Sequence, residues 1–330
     1  MKKIISVLLC VLLCFLFAGC TNGKNDYQEK NFFVMDAVLT VRLWGCEDRA
    51  EVHFDAIGNT LAEIESALSR TDAESDVSRI NRERSAGDLS PHTLSVLSTA
   101  HDVMLATSGA YLPTMGAISD LWKTAGEENA LPDSAALQTA LVAAREGFTL
   151  ENGVCTLPAA GALLDLGGIG KGYAVDCILD YLANESVKGA LISFGSSVAT
   201  FGEKGDGSAF RISLRSPANA TATVGMLQAP TGVLSVSGDY ERFVTVNGTR
   251  YHHIIDPATG YPTASGISSA SVLAESGALS DALSTAFLVM GEESAHALLA
   301  SGAINAEAVF ITADGTTSHT AGLDGVFLPN

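Results

Sequence analysis

The chain has 330 residues, of which 47% are hydrophobic and 17% charged. This is the composition of a folded protein with a sizeable core, and it excludes disorder, collagen and a coiled coil as the main state. Lysine and arginine number 19 against 37 aspartate and glutamate, and the resulting charge of −18 repels phosphate-rich polymers and disfavours a nucleic-acid partner.

Lys2 and Lys3 precede an apolar run from Ile4 to Phe17 that stops at Ala18-Gly19-Cys20. The run is short for a bilayer span, and a basic start followed by a small-residue site is the layout of a cleaved export signal. The alternative is an uncleaved membrane anchor, but Gly19-Cys20 followed by a polar stretch favours cleavage before Cys20 and diacylglycerol attachment there. The expected organisation is a signal over 1–19, a lipidated tether over 20–30 and one domain over 31–330. It places the protein outside the cytoplasm, held to the bacterial membrane by its lipid. Of six cysteines, Cys10 and Cys14 leave with the signal, so the spaced set Cys46, Cys155 and Cys177 implies neither a disulfide scaffold nor a C-x-x-C pair.

Within the domain, Phe33 to Trp44 alternates as a first strand, and Glu51 to Leu68 carries apolar residues at helical spacing. Leu94 to Leu105 repeats that spacing, with His101 as a packed residue. Residues 134–146 form a third helix, entered through Pro132 and a cap at Asp133 or Ser134. The segments around Ser75 to Asn81 and Gly109 to Gly116 read as surface loops. Ala162 to Leu166 is a short strand, Gly167 to Gly172 a glycine loop and Tyr173 to Leu182 a helix. Strands follow at Ala190 to Phe194, Phe210 to Leu214 and Val233 to Val236. Arg242 to Val246 and Thr249 to Ile255 flank Asn247-Gly248, which supplies the positive φ angles of a tight hairpin turn. Ser268 to Ala274 is a strand, Ala278 to Met290 and Glu292 to Leu299 are helices, and Ala308 to Thr312 with the Asp314-Gly315 turn closes a single α+β domain.

Three groups of residues carry chemistry. The strand, glycine loop and helix around Asp165-Leu166-Gly167-Gly168-Ile169-Gly170-Lys171-Gly172 offers backbone N–H groups and one cation to an anionic diphosphate. It matches neither the P-loop nor the dinucleotide fingerprint, and a tight turn alone also explains it. Asp281 and Thr285 stand one helical turn apart, so a carboxylate and a hydroxyl can share a hard cation, or Asp281 can cap the helix. His252, His253 and Asp256 follow the hairpin. Imidazole moves protons near neutral pH, and strand alternation sends one of the two histidines into a site and the other away.

In this order the segments resemble the ApbE family of FAD:protein FMN transferases. The motifs are Ser78-Arg79-Ile80-Asn81, Leu166 to Asp176, Ser237-Gly238-Asp239-Tyr240-Glu241-Arg242, His253-Ile254-Ile255-Asp256-Pro257 with Thr259-Gly260, and Asp281 to Ala286. The resemblance implies a T-fold-like α+β domain of mixed, mostly antiparallel sheets flanked by helices. It also implies an exported enzyme that binds FAD with Mg²⁺ and transfers FMN onto a Ser or Thr of a partner protein in an exported or membrane redox system. On this resemblance Met35, Pro113, Thr114, Asp165, Lys171 and the Ile255 backbone would contact FAD. The Gly168 carbonyl, Asp281 and Thr285 would hold Mg²⁺, and His253 would accept the proton. Departures are Leu112, where relatives usually carry Asp, Ser196 and Ser197 in place of a Gly-Gly, and Thr71 in place of an aromatic. A Mg²⁺-dependent FAD pyrophosphatase and a non-catalytic flavin-binding lipoprotein are the alternatives.

Overall fold

The computed structural model describes residues 27–228 and 230–330, so the expected signal and Cys20 lie outside the described residues. The strands that position the site are β1 (Tyr27–Val34), β2 (Ala37–Trp44), β3 (Gly189–Phe194), β4 (Ser197–Gly202), β5 (Val233–Gly238), β6 (Phe243–Val246), β7 (Thr249–His252), β8 (Ser269–Ala274), β9 (Ala306–Ile311) and β10 (Thr317–His319). Eight of them form one sheet in the order β1-β2-β3-β4-β5-β8-β9-β10, antiparallel at every pairing. The remaining two, β6 and β7, pair with each other as a separate ribbon.

The expected first strand is two strands. Met35 and Asp36 turn the chain between them with φ of 50° and 55°, a turn without the Gly or Asn that announces one. Strand β1 begins at Tyr27, inside the expected tether, because Tyr27 stacks on Trp44 at 5.2 Å and Glu29 pairs with Arg42 at 2.6 Å. The expected strand Ala162 to Leu166 is not a strand of a sheet. Leu163 makes a single parallel bridge with Met115, and Asn81 takes the place of a neighbouring strand by accepting from Leu164 N at 2.7 Å and donating to Leu164 O at 3.0 Å.

Helices α1 (Ala50–Leu68), α2 (Asp76–Glu83), α3 (Pro91–Ala106), α4 (Gly116–Glu128), α5 (Ser134–Arg145), α6 (Gly170–Ala183), α7 (Gly277–Met290) and α8 (Glu292–Ala300) cover the sheet and its flank. Helix α1 buries Phe54, Ile57, Leu61 and Ile64 at the spacing of one face. Ser90 caps α3 and Asp133 caps α5 by accepting from Thr93 N and Ala136 N. Helix α2 replaces an expected loop, and α4 begins where the expected loop Gly109 to Gly116 ends, over residues to which the sequence pattern assigned no element. Helix α2 is short and polar but buries Val77 and Ile80 beneath a Ser75 cap, and α4 starts at Gly116 yet buries Ile118 and Trp122.

Most of the buried apolar residues form one core between the sheet and helices α1, α3, α6 and α7. A second, smaller core of Leu112, Ile118, Trp122, Leu137, Leu141 and Val246 fixes the β6–β7 ribbon to α4 and α5. Phe210 to Leu214 is realised as Arg211–Arg215, which joins Thr223–Gln228 and Phe327–Pro329 in a small outlying sheet. The α+β fold class expected from the sequence is the one observed, and the cavity described next opens between the two cores.

Candidate active site

Helix α6 starts at Gly170, inside the glycine loop, and crosses α7 at very close range. A Cβ on Gly172 would stand 1.9 Å from the Gly277 carbonyl oxygen, so only hydrogen fits there. The crossing is clamped by Asp176, whose carboxylate accepts from Ser276 Oγ, Gly277 N and Ala278 N and so caps α7 from α6. Burial pushes the Asp176 carboxyl up, against the pull of those three donors. The loop before α6 is held as tightly. Asp165 N donates to Pro113 O at 2.7 Å, Asp165 Oδ1 accepts from Gly167 N at 2.9 Å, and Arg70 pairs with Oδ2 at 2.8 Å.

This packing brings the expected metal donors together. Asp281 is 3% exposed, with Oδ2 accepting from Gly172 N at 3.1 Å and lying 4.0 Å from Lys171 Nζ. Thr285 Oγ1 lies 3.2 Å from Ser237 Oγ, and a Cβ on Gly168 would stand 3.8 Å from that same Oγ1. Lys171 Nζ donates to Gly167 O at 2.9 Å. Carboxylate, hydroxyl and carbonyl are hard oxygen donors, the kind Mg²⁺ prefers. No group of three or more His, Cys, Asp or Glu that could cage a metal occurs among the described residues. The donor set therefore fits a cation that takes its other ligands from phosphate and water.

These groups line a cavity of about 820 Å³ together with Pro113, Asp165, Arg242, His253 and Ile255. Thr114 and Met35 do not line it. Thr114 is fully buried and donates to Ala144 O at 2.7 Å, fixing the turn behind Pro113. Met35 donates its N–H to Glu65 Oε1 at 2.7 Å, and its sulfur faces Gly170, where a Cβ would stand 3.9 Å away.

The ribbon supplies the histidines. His253 N and His253 Nδ1 both lie 3.1 Å from the Arg242 carbonyl oxygen. A carbonyl only accepts, so Nδ1 carries the proton and the Nε2 lone pair is left for chemistry. Desolvation by the cavity walls pushes the ring's pKa down to about 4, helped by the charges of Arg242 and Lys171. The ring remains open to water at the mouth, which works against that desolvation. His252 also lines the cavity, contrary to the alternation expected from the sequence. The regular strand β7 ends at His252 and His253 N makes the ribbon's last hydrogen bond, to Arg242 O, so the period of two is no longer enforced at the ribbon's end. His252 Nε2 lies 3.1 Å from Thr263 O, so it donates there.

Sequence reasoning assigned no role to Tyr111, Ser237 or Arg242, all of which line the cavity. Tyr111 is 4% exposed, its hydroxyl has no hydrogen-bond partner among the described residues, and burial with the charges of Asp281 and Asp165 pushes its pKa far up. Ser237 and Arg242 sit in the motif Ser237 to Arg242, but neither side chain is chemically diagnostic by type.

Comparison with known proteins bears on the same region. A family model described as the ApbE family matches residues 35–310. The FAD:protein FMN transferase of Treponema pallidum is 31% identical over 97% of this chain and 93% of its own length. That of Vibrio cholerae is 30% identical over 80% and 81%. Among solved structures, the ApbE protein of Thermotoga maritima superposes with a TM-score of 0.80 at 27% identity, covering 91% of this chain and 99% of its own. The flavin transferase ApbE of Vibrio cholerae gives 0.78 at 25% identity over the same shares.

Proposed function

The chain belongs to the ApbE family, and from that premise we propose that it is an FAD:protein FMN transferase, moving the FMN half of FAD onto a Ser or Thr hydroxyl of a partner protein. The observation that carries this reading is the gathering of Lys171, the Asp281–Thr285 pair and His253 in one cavity. In the reaction the hydroxyl oxygen bonds to the FMN phosphorus while the bond from that phosphorus to the bridging oxygen breaks. AMP leaves with the bridging oxygen, and the hydroxyl proton goes to Nε2 of His253. Lys171 neutralises phosphate charge, the main demand of phosphoryl transfer. Asp281, Thr285 and the Gly168 carbonyl would hold Mg²⁺, which supplies Lewis-acid neutralisation of the diphosphate. Pro113, Asp165 and Ile255 would bound the dinucleotide, with Met35 and Thr114 supporting the walls behind them.

Incubation with FAD, Mg²⁺ and a candidate acceptor tests the reading. Flavin bound covalently to the acceptor with release of AMP supports it. Free FMN and AMP alone point to a pyrophosphatase, a reaction that a His253 open to water could assist, and unchanged FAD points to a binding protein. We further propose that the chain is exported and lipid-anchored through Cys20, serving a redox protein outside the cytoplasm. Labelling with a radioactive fatty acid should then mark the wild type and not Cys20→Ala, and an unlabelled wild type would sink the anchor.

A further inference from the structure

Resting on the transferase reading, we infer that the Arg242 guanidinium binds the diphosphate of FAD as a second cation beside Lys171. Arg242 lines the same cavity, on the ribbon rather than on the glycine loop. Its backbone is pinned by two hydrogen bonds from His253, so the side chain springs from a fixed point next to the base. In a chain of net charge −18, an arginine facing a cavity ordinarily finds a carboxylate. Among the described residues none pairs with Arg242. The adjacent Glu241 is held by Arg215, and Asp165 is held by Arg70. Each phosphate of FAD carries a negative charge, and the planar fork of arginine fits two phosphate oxygens at once.

Calorimetric titration of FAD and of ADP, in Mg²⁺, into wild type, Arg242→Ala and Arg242→Lys tests the assignment. Arg242→Ala should weaken both nucleotides about tenfold, as expected for losing a charged hydrogen bond. Arg242→Lys should restore part of the affinity, and the gap between wild type and Arg242→Ala should narrow in high salt. Arg242 is exposed, so ligand-free thermal unfolding should be unchanged and separates binding from folding. Unchanged affinity for both nucleotides overturns the inference and makes Arg242 a solvated surface cation. A loss for FAD without one for ADP also overturns it, since the contact would then be to the flavin. Wild type that fails to bind FAD overturns the transferase reading as well.

Discussion

The two walls of the cavity are built on different physical terms. The loop-and-helix wall belongs to the main core, where Gly172 and Gly277 let α6 and α7 meet backbone to backbone and Asp176 and Asp281 hydrogen-bond across the crossing. The opposing ribbon is two four-residue strands on a small second core, and its His253 is fixed by one carbonyl. Lys171 and the proposed metal donors Asp281 and Thr285 sit on the wall that is packed backbone to backbone. His253, the proposed base, and Arg242 sit on the wall that is open and lightly tethered.

Perturbing the crossing should therefore cost the fold, and perturbing the ribbon should cost the chemistry. The largest effect is expected from Gly172→Ala, because the new methyl would meet the Gly277 carbonyl at 1.9 Å, backbone that cannot step aside. A stability loss of about 3 kcal/mol is expected from such overpacking. A wild-type unfolding curve for that variant would show the crossing to be loose and erase the contrast.

Asp281→Asn comes next and separates the two duties of one residue. Removal to Ala would strand the buried Gly172 N–H, whereas Asn keeps an acceptor for it. The Asn variant should fold as wild type, turn over roughly 10²-fold more slowly and need more Mg²⁺. Wild-type rates at limiting Mg²⁺ would remove Asp281 from the metal site.

On the ribbon, His253→Asn should lose transfer by roughly 10²-fold or more while FAD affinity and thermal stability hold. Full activity would move the base elsewhere, with Asp256 the nearest carboxylate in sequence. The pH dependence sharpens this. A base works in its neutral form, and an ordinary histidine protonates near 6.5. With the His253 pKa lowered to about 4, the ring stays neutral as pH falls through 6 and the acid limb of the rate shifts well below 6.5. A limb centred near 6.5 would mean that water at the mouth outweighs the desolvation.

The smallest effect is expected from Gly248→Ala at the ribbon's tip. Its φ is 80°, but beyond its chain neighbours no atom of the described residues lies within 4 Å of the new methyl. The cost is left-handed strain alone, about 1 kcal/mol, with transfer rates little changed. A collapse of activity would show that the tip reaches further into the site than its contacts indicate.

Signals confined to a few neighbouring residues were legible in the sequence. The Asn247-Gly248 turn, the Asp133 cap and the one-turn spacing of Asp281 and Thr285 each need only local geometry, and each is where it was expected. The Met35-Asp36 turn was not legible, since its positive φ angles are held by the pairing of β1 with β2 rather than by residue type. Neither was helix α4, whose glycine start hides an apolar face that a partner core makes worthwhile.

The sequence by itself determined which chemical groups are present, their charges, the helix and hairpin periods, and, through ordered motifs, the family. Tertiary structure decided which of those groups share a cavity. It placed both His252 and His253 on the lining, where alternation had allowed one, because the strand ends between them. It moved Thr114 and Met35 behind the wall and set Arg242 beside His253. The physical reason is range. Dihedral preference and periodicity act over one turn or one strand, whereas cavity lining depends on contacts such as Gly172 with Gly277 or Asn81 with Leu164, whose partners are distant in sequence and meet only when the core closes.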